Sequence, residues 1–303
     1  ITETLGDLYG MHWPFKQHKT SRNQKLVPYH EELKKAGACF GASSGFERPM
    51  WFSRNGEKAE YKYSYNYQNW FPAAEYETKN ARENVGLFEL TPFSKYELKG
   101  ETAHDELQRI CTANIKNEIG KCTYTQMLNK DGGIETDLTV VKIAENNFRI
   151  ITAAANKERD KFHIQKHLSE DIKLLDVTDD YCVLGVFGPK SIDLMKDLSD
   201  DDYSNENFKF GTAKYITINQ DQIWAQRLSY VGELGFELYI KSNNAKEIYN
   251  LIIKEGQKFK ICHAGVHAMD TLRMEKGYLH WGHDMSPEEN QYEAGLNFAI
   301  SYK

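Results

Sequence analysis

The chain has 303 residues, a net charge of −6 and interspersed acidic and basic side chains. No basic stripe indicates a nucleic-acid partner, and the longest apolar runs are too short to span a bilayer. The N-terminus lacks the layout of a signal peptide. Five cysteines without a CxxC motif favour free, buried thiols in a reducing compartment. We expect a cytoplasmic protein, or a mitochondrial-matrix protein if the source is eukaryotic.

The two ends of the sequence bear on its extent. The chain begins at Ile1 rather than at methionine and ends directly after a strand-like stretch at residues 296–301. We therefore expect a part of a longer polypeptide. The length allows two domains, or three small ones.

Residues 1–52 are rich in aromatic side chains and show no strong periodicity, apart from a short helix predicted at residues 29–35. Residues 41–45, GASSG, match the GxSxG pattern of hydrolases. That pattern requires a helix after the serine, and Pro49 follows too closely for one to form. Ser43 is therefore not predicted to be a nucleophile.

Regular elements become predictable beyond residue 72. Helices are predicted at residues 73–85, 103–112, 157–169, 191–196, 245–255 and 267–276. Strands are predicted on both sides of Thr91-Pro92 and at residues 120–128, 138–141, 148–152, 172–177, 183–187, 223–230 and 236–240. Gly188-Pro189 is not a phosphate loop, because proline lacks an amide donor that the loop would need. Strands and helices that mix without βαβ alternation predict an α+β fold with antiparallel sheets.

The stretch KDGGIETDLTVVK, residues 130–142, combines a turn, a carboxylate and a strand. Gly132 and Gly133 can adopt positive φ at little cost, and the β-branched run predicts a strand from Leu138. Asp137 would then lie where the turn leads into the strand, a position that can hold a side chain rigidly in a pocket. On its own, the pattern favours an aspartate that only hydrogen-bonds its own turn.

Five stretches in order change that interpretation. They are RENVGLFEL, YTQMLNKDGGIETDLTV, the Gly-Pro turn, SYVGELGFELYI and DTLRMEKGYLHWGHDMSPEENQYEAGL. Together, over residues 73–300, they resemble the folate-binding glycine-cleavage T-protein (aminomethyltransferase) family. The resemblance implies the T-protein-like folate-binding fold.

The segment YHEELKKAGACFGASSGFERPMWF resembles the connector of the dimethylglycine dehydrogenase and sarcosine dehydrogenase family, in which a flavin domain precedes a T-protein-like domain. We therefore divide the chain into a connector, residues 1–55, and a folate-binding region, residues 56–303, with two interleaved subdomains. No GxGxxG motif follows a strand, so the flavin domain is expected upstream. A barrel domain is expected downstream.

The resemblance implies that Asp137 is catalytic. It matches the family's acidic residue, and a fixed carboxylate can accept the proton of a folate nitrogen and stabilise the positive charge that develops during one-carbon transfer. Glu135, on the same strand face, is a possible helper, although a solvated turn residue is the favoured interpretation.

The resemblance also implies a pterin pocket. Glu237 matches the family glutamate that accepts hydrogen bonds from the amino group and ring N–H of the pterin, a charge-assisted pair. The alternative is a cross-strand ion pair with lysine or arginine. Tyr124 matches a tyrosine near the folate, and Tyr230 and Arg227 are expected to line the same pocket. Glu233, on the turn, is expected to be exposed.

One position departs from the family pattern. Many T-proteins have an arginine directly before the aspartate of the helix that begins here at His267, and it helps to hold folate; this chain has Met269 there. The oxidase-linked branch also lacks that arginine, so the departure supports this branch and leaves open what anchors the glutamate tail of folate. Arg273 is expected to pair with Asp270 or Glu275.

Two histidine pairs have the i, i+4 spacing that can hold a metal on one helix face. They are His163 with His167 and His263 with His267. Neither pair has a third ligand in a recognisable motif, so no metal site is predicted.

The function that the resemblance implies is one-carbon transfer to tetrahydrofolate within a dimethylglycine or sarcosine dehydrogenase-like enzyme, with the oxidised N-methyl group captured as 5,10-methylenetetrahydrofolate. FAD is expected only in the upstream flavin domain, in cis or in trans, and the partners are a methylated amine of the N-methylglycine type and folate. A stand-alone folate-dependent aminomethyltransferase or demethylase is one alternative. A folate-binding module without chemistry is another.

Overall fold

The computed structural model describes residues 2–302, which form helices on three β-sheets. The strands are β1 (Ala38–Ser43), β2 (Phe46–Phe52), β3 (Val85–Glu89), β4 (Ser94–Lys99), β5 (Cys122–Leu128), β6 (Ile134–Ala144), β7 (Asn147–Thr152), β8 (Lys173–Asp176), β9 (Tyr181–Phe187), β10 (Ala213–Ile218), β11 (Asp221–Gln226), β12 (Gly235–Lys241) and β13 (Ile261–Ala264). The helices are α1 (Thr2–Asp7), α2 (His30–Lys35), α3 (Phe71–Glu83), α4 (Ala103–Ile110), α5 (Lys157–Lys166), α6 (Ser191–Leu198), α7 (Ala245–Gly256) and α8 (Val266–Glu275). Short 3₁₀ turns occur at Ala154–Asn156, Thr178–Asp180, Gln257–Phe259 and Asn297–Ala299.

The sheets are mixed and mostly antiparallel, as predicted. A six-stranded sheet has the order β10-β11-β12-β9-β3-β13, a five-stranded sheet has the order β5-β6-β7-β4-β8, and β1 pairs with β2 alone. The pairing of β13 with β3 is parallel. The two strands predicted around Thr91-Pro92 are β3 and β4, and they belong to different sheets. The chain therefore crosses from one large sheet to the other at this proline.

The two large sheets pack face to face. Val183 and Phe187 of β9 and Tyr239 of β12 form an apolar cluster with Val141 of β6. The outer face of the six-stranded sheet packs on α6 and α7, and the outer face of the five-stranded sheet packs on α4 and α5. This layering follows from alternation along the strands, since successive side chains point to opposite faces. The candidate site lies between the sheets.

Several elements, among them helix α1, differ from the sequence-based predictions. The strands β1, β2, β10 and β13 were not predicted, and the strand expected at residues 296–301 is instead the 3₁₀ turn Asn297–Ala299. Pro49 lies inside β2, which is possible because β2 pairs with one neighbour only. The GASSG stretch is the β1–β2 hairpin, with Ser44 and Gly45 at positive φ in its turn. This geometry agrees with the rejection of Ser43 as a nucleophile.

The predicted connector shares a core with the rest of the chain. Tyr29 and Leu33 belong to the same buried cluster as Leu184 of β9 and Ile248 of α7. The boundary at residue 55 stays a prediction, and no break in the core marks it. Among the residues described, no helix is both long enough and apolar enough to cross a membrane.

The two glycines of the β5–β6 turn serve different purposes. Gly132 has a φ of +87°. Gly133 is required instead by close approach, because a Cβ there would lie 1.8 Å from the carbonyl oxygen of Pro287. Asn129 closes the turn, since its Oδ1 accepts from the amides of Asp131 and Gly133 at 2.9 Å each. Asp137 is therefore not needed for the turn.

Candidate active site

Asp137 lies inside a strand rather than at its start. It is the fourth residue of β6 and faces Gln126 of β5 across the ladder. Tyr124 lies two residues before Gln126 and opposite Thr139, so it shares this face of the sheet. Tyr124 is 37% exposed, which leaves the face open to a ligand from solvent. The structure thus brings Tyr124 and Asp137 together.

Asp137 has neutral partners only. Gln126 Nε2 donates to Oδ1 over 2.7 Å. Burial raises the pKa of Asp137 to about 6, and hydrogen bonds with Gln126 and Tyr124 oppose that rise only in part. A carboxylate with this pKa is mostly ionised at neutral pH and suits a general base. Among residues 2–302, no lysine or arginine forms an ion pair with it.

A hydrogen-bond network that the sequence did not reveal orients the amide beside Asp137. Gln291 Nε2 donates to Gln126 Oε1 over 2.5 Å and to Thr112 Oγ1 over 2.9 Å. Because Gln126 Oε1 is engaged in this way, the Nε2 of that amide is directed at Asp137. Gln291 is 165 residues away from Gln126 in the chain, and no local pattern signals such a contact.

Glu237 is a second carboxylate with a neutral partner. It lies on β12, opposite Gln226 of β11 and Gly185 of β9. Tyr239, which the sequence analysis did not single out, donates its hydroxyl to Oε2 over 3.0 Å. Burial raises the pKa of Glu237 to about 7. Within the described chain no lysine or arginine pairs with Glu237, so the alternative of a cross-strand ion pair is not observed.

One face of β5 connects the two carboxylates. Cys122, Tyr124 and Gln126 alternate onto this face. Burial and the nearby Glu237 charge raise the pKa of the Cys122 thiol. The four-residue step from Cys122 to Gln126 spans about 13 Å. Glu237 and Asp137 therefore lie near opposite ends of the face, with Tyr124 between them.

Tyr230 approaches this face from the loop between β11 and β12. Its hydroxyl donates to the carbonyl oxygen of Leu279 over 2.8 Å, and its ring stacks on Tyr278 with 6.3 Å between centroids. Burial raises the pKa of Tyr230, and the Asp137 carboxylate also acts in that direction. Tyr230 thus belongs to the cluster around Asp137.

Arg227 is held elsewhere. Its Nη2 donates to Asn205 Oδ1 over 2.6 Å, and its Nη1 donates to the carbonyl oxygen of Phe208. The loop before β10 therefore engages both terminal nitrogens. A contact between Arg227 and folate stays a prediction, and the observed hydrogen bonds do not favour it.

The two remaining glutamates form ion pairs. Glu233 Oε1 lies 2.7 Å from Arg82 Nη1 and is half-buried, so the expectation of an exposed Glu233 was wrong. Glu135 Oε1 lies 2.7 Å from Arg159 Nη2. A carboxylate held by an ion pair is not free to turn toward a ligand, so the structure does not favour Glu135 as a helper.

Helix α8 carries Met269 and an ion-paired arginine. Arg273 Nη2 lies 2.6 Å from Asp270 Oδ1, and its Nη1 contacts Asp284. The expected Asp270 pair is therefore present, whereas Glu275 pairs with Arg82. Since Arg273 is engaged by two carboxylates, it does not supply a free cation beside Met269.

The histidine pairs have protein partners. The hydroxyl of Tyr249 lies 2.6 Å from His263 Nε2, and that of Tyr61 lies 2.7 Å from His267 Nε2. Burial lowers the pKa of both histidines to about 4. His167 Nδ1 lies 2.8 Å from the backbone oxygen of His163.

One group of three possible metal ligands lies together in the described chain, away from the histidine pairs. It consists of Glu3, Asp7 and His18. Lys16 Nζ lies 2.6 Å from Asp7, and the backbone amides of residues 19 and 20 donate to Glu3. These contacts account for the two carboxylates without an ion.

Comparison with known families decides what this fold is. The family model described as the GCVT N-terminal domain matches residues 29–303. The chain belongs to the glycine-cleavage T-protein family. The match begins inside the predicted connector, so the connector sequence and the family domain overlap.

Curated relatives of this T-protein-family chain include oxidative enzymes. It is 38% identical to 4-methylaminobutanoate oxidase (formaldehyde-forming) of Paenarthrobacter nicotinovorans, over 99% of this chain and 36% of the relative. It is 31% identical to mitochondrial dimethylglycine dehydrogenase of Rattus norvegicus, over 95% of this chain and 34% of the relative. The chain thus spans about a third of the length of these relatives.

A solved T-protein has the same fold. The crystal structure of glycine cleavage system aminomethyltransferase T from Bartonella henselae superposes with a TM-score of 0.76 at 23% identity, covering 92% of this chain and 70% of that one. This confirms the predicted T-protein-like fold. The chain is an aminomethyltransferase-like domain related to dimethylglycine and sarcosine dehydrogenases.

Proposed function

We propose that this domain binds tetrahydrofolate and transfers to it the one-carbon unit of an oxidised N-methyl amine, with 5,10-methylenetetrahydrofolate as the product. Two relatives are, by name, an oxidase of 4-methylaminobutanoate and a dehydrogenase of dimethylglycine. The observation that carries the proposal is the presence of two partly buried carboxylates with neutral partners, Asp137 and Glu237, near opposite ends of one face of β5.

Glu237 fits the pterin end of the substrate. The pterin ring presents an amino group and a ring N–H as adjacent donors, and a carboxylate is the matching acceptor pair. Because, among residues 2–302, Glu237 has only the Tyr239 hydroxyl as a side-chain hydrogen-bond partner, its remaining acceptor sites are available to a ligand. Two donors from the ring would lower the pKa of Glu237 and keep it ionised on binding.

Asp137 fits the reacting nitrogen. The one-carbon unit arrives as an electrophilic iminium carbon, and a folate nitrogen attacks that carbon and loses its proton. The bond from the carbon to the amine then breaks, the amine leaves with a proton, and the second folate nitrogen closes the methylene bridge with loss of its own proton. Asp137 would accept the proton and stabilise the positive charge. The amide of Gln126, fixed by Gln291, holds the carboxylate in one orientation. Tyr124 and Tyr230 would line the space between the two ends.

The amine must be oxidised before it reaches this domain. We assign that step to a flavin domain, in cis or in trans, that uses FAD and takes two electrons from the N-methyl amine. An N-methylglycine-type amine is the expected substrate. The residues described here would then capture the product of that oxidation and need no redox group of their own.

Calorimetry with tetrahydrofolate tests the pocket. Wild-type chain is expected to bind with micromolar affinity, and Glu237→Gln to bind about 10- to 100-fold more weakly, because one charge-assisted interaction is lost. Glu233→Gln is the matched control. Glu233 lies in the loop that leads into β12 and is paired with Arg82, so this variant should bind tetrahydrofolate like wild type. Absence of binding to the wild-type chain would contradict the proposal.

Turnover tests the chemistry. In the gene's full reading frame, Asp137→Asn is expected to lower the yield of 5,10-methylenetetrahydrofolate from N-methylglycine by about 10²- to 10⁴-fold, with tetrahydrofolate affinity changed less than about threefold. An unchanged yield would remove Asp137 from catalysis and favour a folate-binding module without chemistry. Transfer by the chain without any flavin partner would favour a stand-alone aminomethyltransferase.

A further inference from the structure

Arg48 is a buried arginine without a carboxylate partner. It lies on β2 and is 8% exposed. Its Nε donates to the backbone oxygen of Glu89 over 3.3 Å, and its Nη2 lies 3.8 Å from Met269 Sδ. Within residues 2–302, Nη1 makes no hydrogen bond, and no ion pair involves the guanidinium. Removing a guanidinium from water without an anion is costly.

Two other buried arginines have a carboxylate partner, whereas a third, Arg227, has only neutral ones among residues 2–302. Arg149 pairs with Glu97 at 2.8 Å, and Arg273 pairs with Asp270 at 2.6 Å. The charge of Glu89 acts on Arg48, although the two side chains form no ion pair within residues 2–302. Glu89 Oε1 accepts from the Thr91 amide over 2.9 Å, so its side chain is turned to its own loop.

Arg48 lies on the Tyr230 side of the candidate site. Its guanidinium interacts electrostatically with Tyr230 and with His280. The charge of Asp137 in turn helps to raise the pKa of Tyr230. One side of the guanidinium packs on the Phe93 ring, with 5.4 Å from Cζ to the centroid. The site therefore runs from an acidic end at Glu237, past Asp137, to a basic end at Arg48.

This charge order suits a ligand with donors at one end and an anion at the other. A guanidinium has a planar, two-donor edge that matches a carboxylate. Met269, which touches Arg48, also occupies the position where the family pattern has an arginine. The β1–β2 hairpin thus places the Arg48 guanidinium beside Met269, a position at which α8 itself carries no cation.

We propose that Arg48 binds a carboxylate of the ligand, either the glutamate tail of folate or the carboxylate of the N-methylated amino acid. The proposal rests on the proposed function and names a residue of the site for that function. Either source would bring a carboxylate into direct contact with the guanidinium, which no carboxylate of residues 2–302 does. The two sources are separated by probes that have or lack the relevant carboxylate.

The first arm compares tetrahydrofolate with tetrahydropteroate, which lacks the glutamate, by calorimetry on the 303-residue chain. If the tail is bound, Arg48→Met weakens tetrahydrofolate at least about tenfold and leaves tetrahydropteroate unchanged, with Arg48→Lys in between. The second arm titrates the tetrahydrofolate-loaded chain with N-methylglycine and with dimethylamine. If the amino acid is bound, Arg48→Met weakens only N-methylglycine.

Two controls separate ligand binding from a structural role. Arg22→Met breaks the ion pair to Glu47 that holds the same hairpin, and Glu89→Gln tests a hidden pair between Glu89 and Arg48. Both variants should leave two ratios unchanged: the affinity for tetrahydrofolate relative to tetrahydropteroate, and the affinity for N-methylglycine relative to dimethylamine. The proposal is overturned if Arg48→Met changes neither ratio, or if Arg22→Met or Glu89→Gln reproduces its effect. Absence of any tetrahydrofolate binding by wild type would instead overturn the proposed function, and this inference with it.

Discussion

Two carboxylates on the five-stranded sheet have opposite surroundings. Glu97 on β4 lies 2.8 Å from Arg149 Nη2 and 2.8 Å from Lys99 Nζ. Asp137 on β6 has the Gln126 amide at 2.7 Å and, in the part of the chain that the structure describes, no ion pair with a cation. Burial acts to raise both pKa values, but the hydrogen bonds and charges of Arg149 and Lys99 bring that of Glu97 below its usual range. The pKa of Asp137 stays raised.

The difference indicates which carboxylate is available to a ligand. A carboxylate that is already paired with a cation is satisfied inside the protein, and a ligand would have to displace that cation. A carboxylate with neutral partners can still gain a donor or a positive charge, and such perturbed groups are typical of functional sites. Glu237, like Asp137, has a neutral partner, the Tyr239 hydroxyl, and a raised pKa. The comparison therefore separates acids that are held by ion pairs from acids that a ligand could still engage.

The largest expected effect is on the free energy of unfolding. Glu97→Gln leaves Arg149, whose side chain is 3% exposed, without its buried partner and should cost about 3–5 kcal/mol. Glu237→Gln removes a charge that burial disfavours, so stability at pH 7 should be unchanged or higher by about 1 kcal/mol. Urea denaturation of the two variants measures this. Equal losses would mean that Glu237 is also a structural charge.

The pH dependence of stability should also differ in sign. Burial raises the pKa of Asp137 from 3.8 to about 6, so its contribution is fully present below pH 3.8 and is lost as the pH rises through about 6. This change amounts to about 3 kcal/mol. The pKa of Glu97 is lowered, so its contribution is present above the unfolded pKa of 4.5 and is lost on acidification.

The measurement is the free energy of unfolding between pH 3.5 and 7 for wild type, Asp137→Asn and Glu97→Gln. The wild-type advantage over Asp137→Asn should fall as pH rises, whereas the advantage over Glu97→Gln should grow. Parallel curves for the two variants would contradict the distinction drawn between these acids.

The smallest expected effect concerns the network behind Asp137. Gln291→Leu leaves Gln126 Oε1 without its donor and should cost about 1–2 kcal/mol of stability. The amide of Gln126 is then free to turn away from Asp137, so the pH optimum of turnover should move upward. Gln222→Leu, at an exposed position, should change neither property. An unchanged pH profile in Gln291→Leu would show that the network does not orient the base.

Much of the fold follows from local patterns. The alternation of β6 places Leu138 and Val140 in the core and Asp137 and Thr139 on the other face, and the hairpin of β11 and β12 was predicted from its turn. Such strands can be predicted from sequence because the side-chain direction repeats every two residues. The strands β1, β2 and β10 were missed although each pairs with its neighbour in sequence. The strand β13 was missed because its partner, β3, is distant in the chain.

The sequence by itself determined the family, the α+β architecture and the strands that carry Asp137 and Glu237. Only the tertiary structure decided the partners of these residues. Gln291 reaches Gln126 across 165 residues and Arg48 reaches Met269 across 221, while Arg227 turns to Phe208 instead. The physical reason is that burial and charge depend on what packs nearby in space, whereas a local pattern records only which way a side chain points.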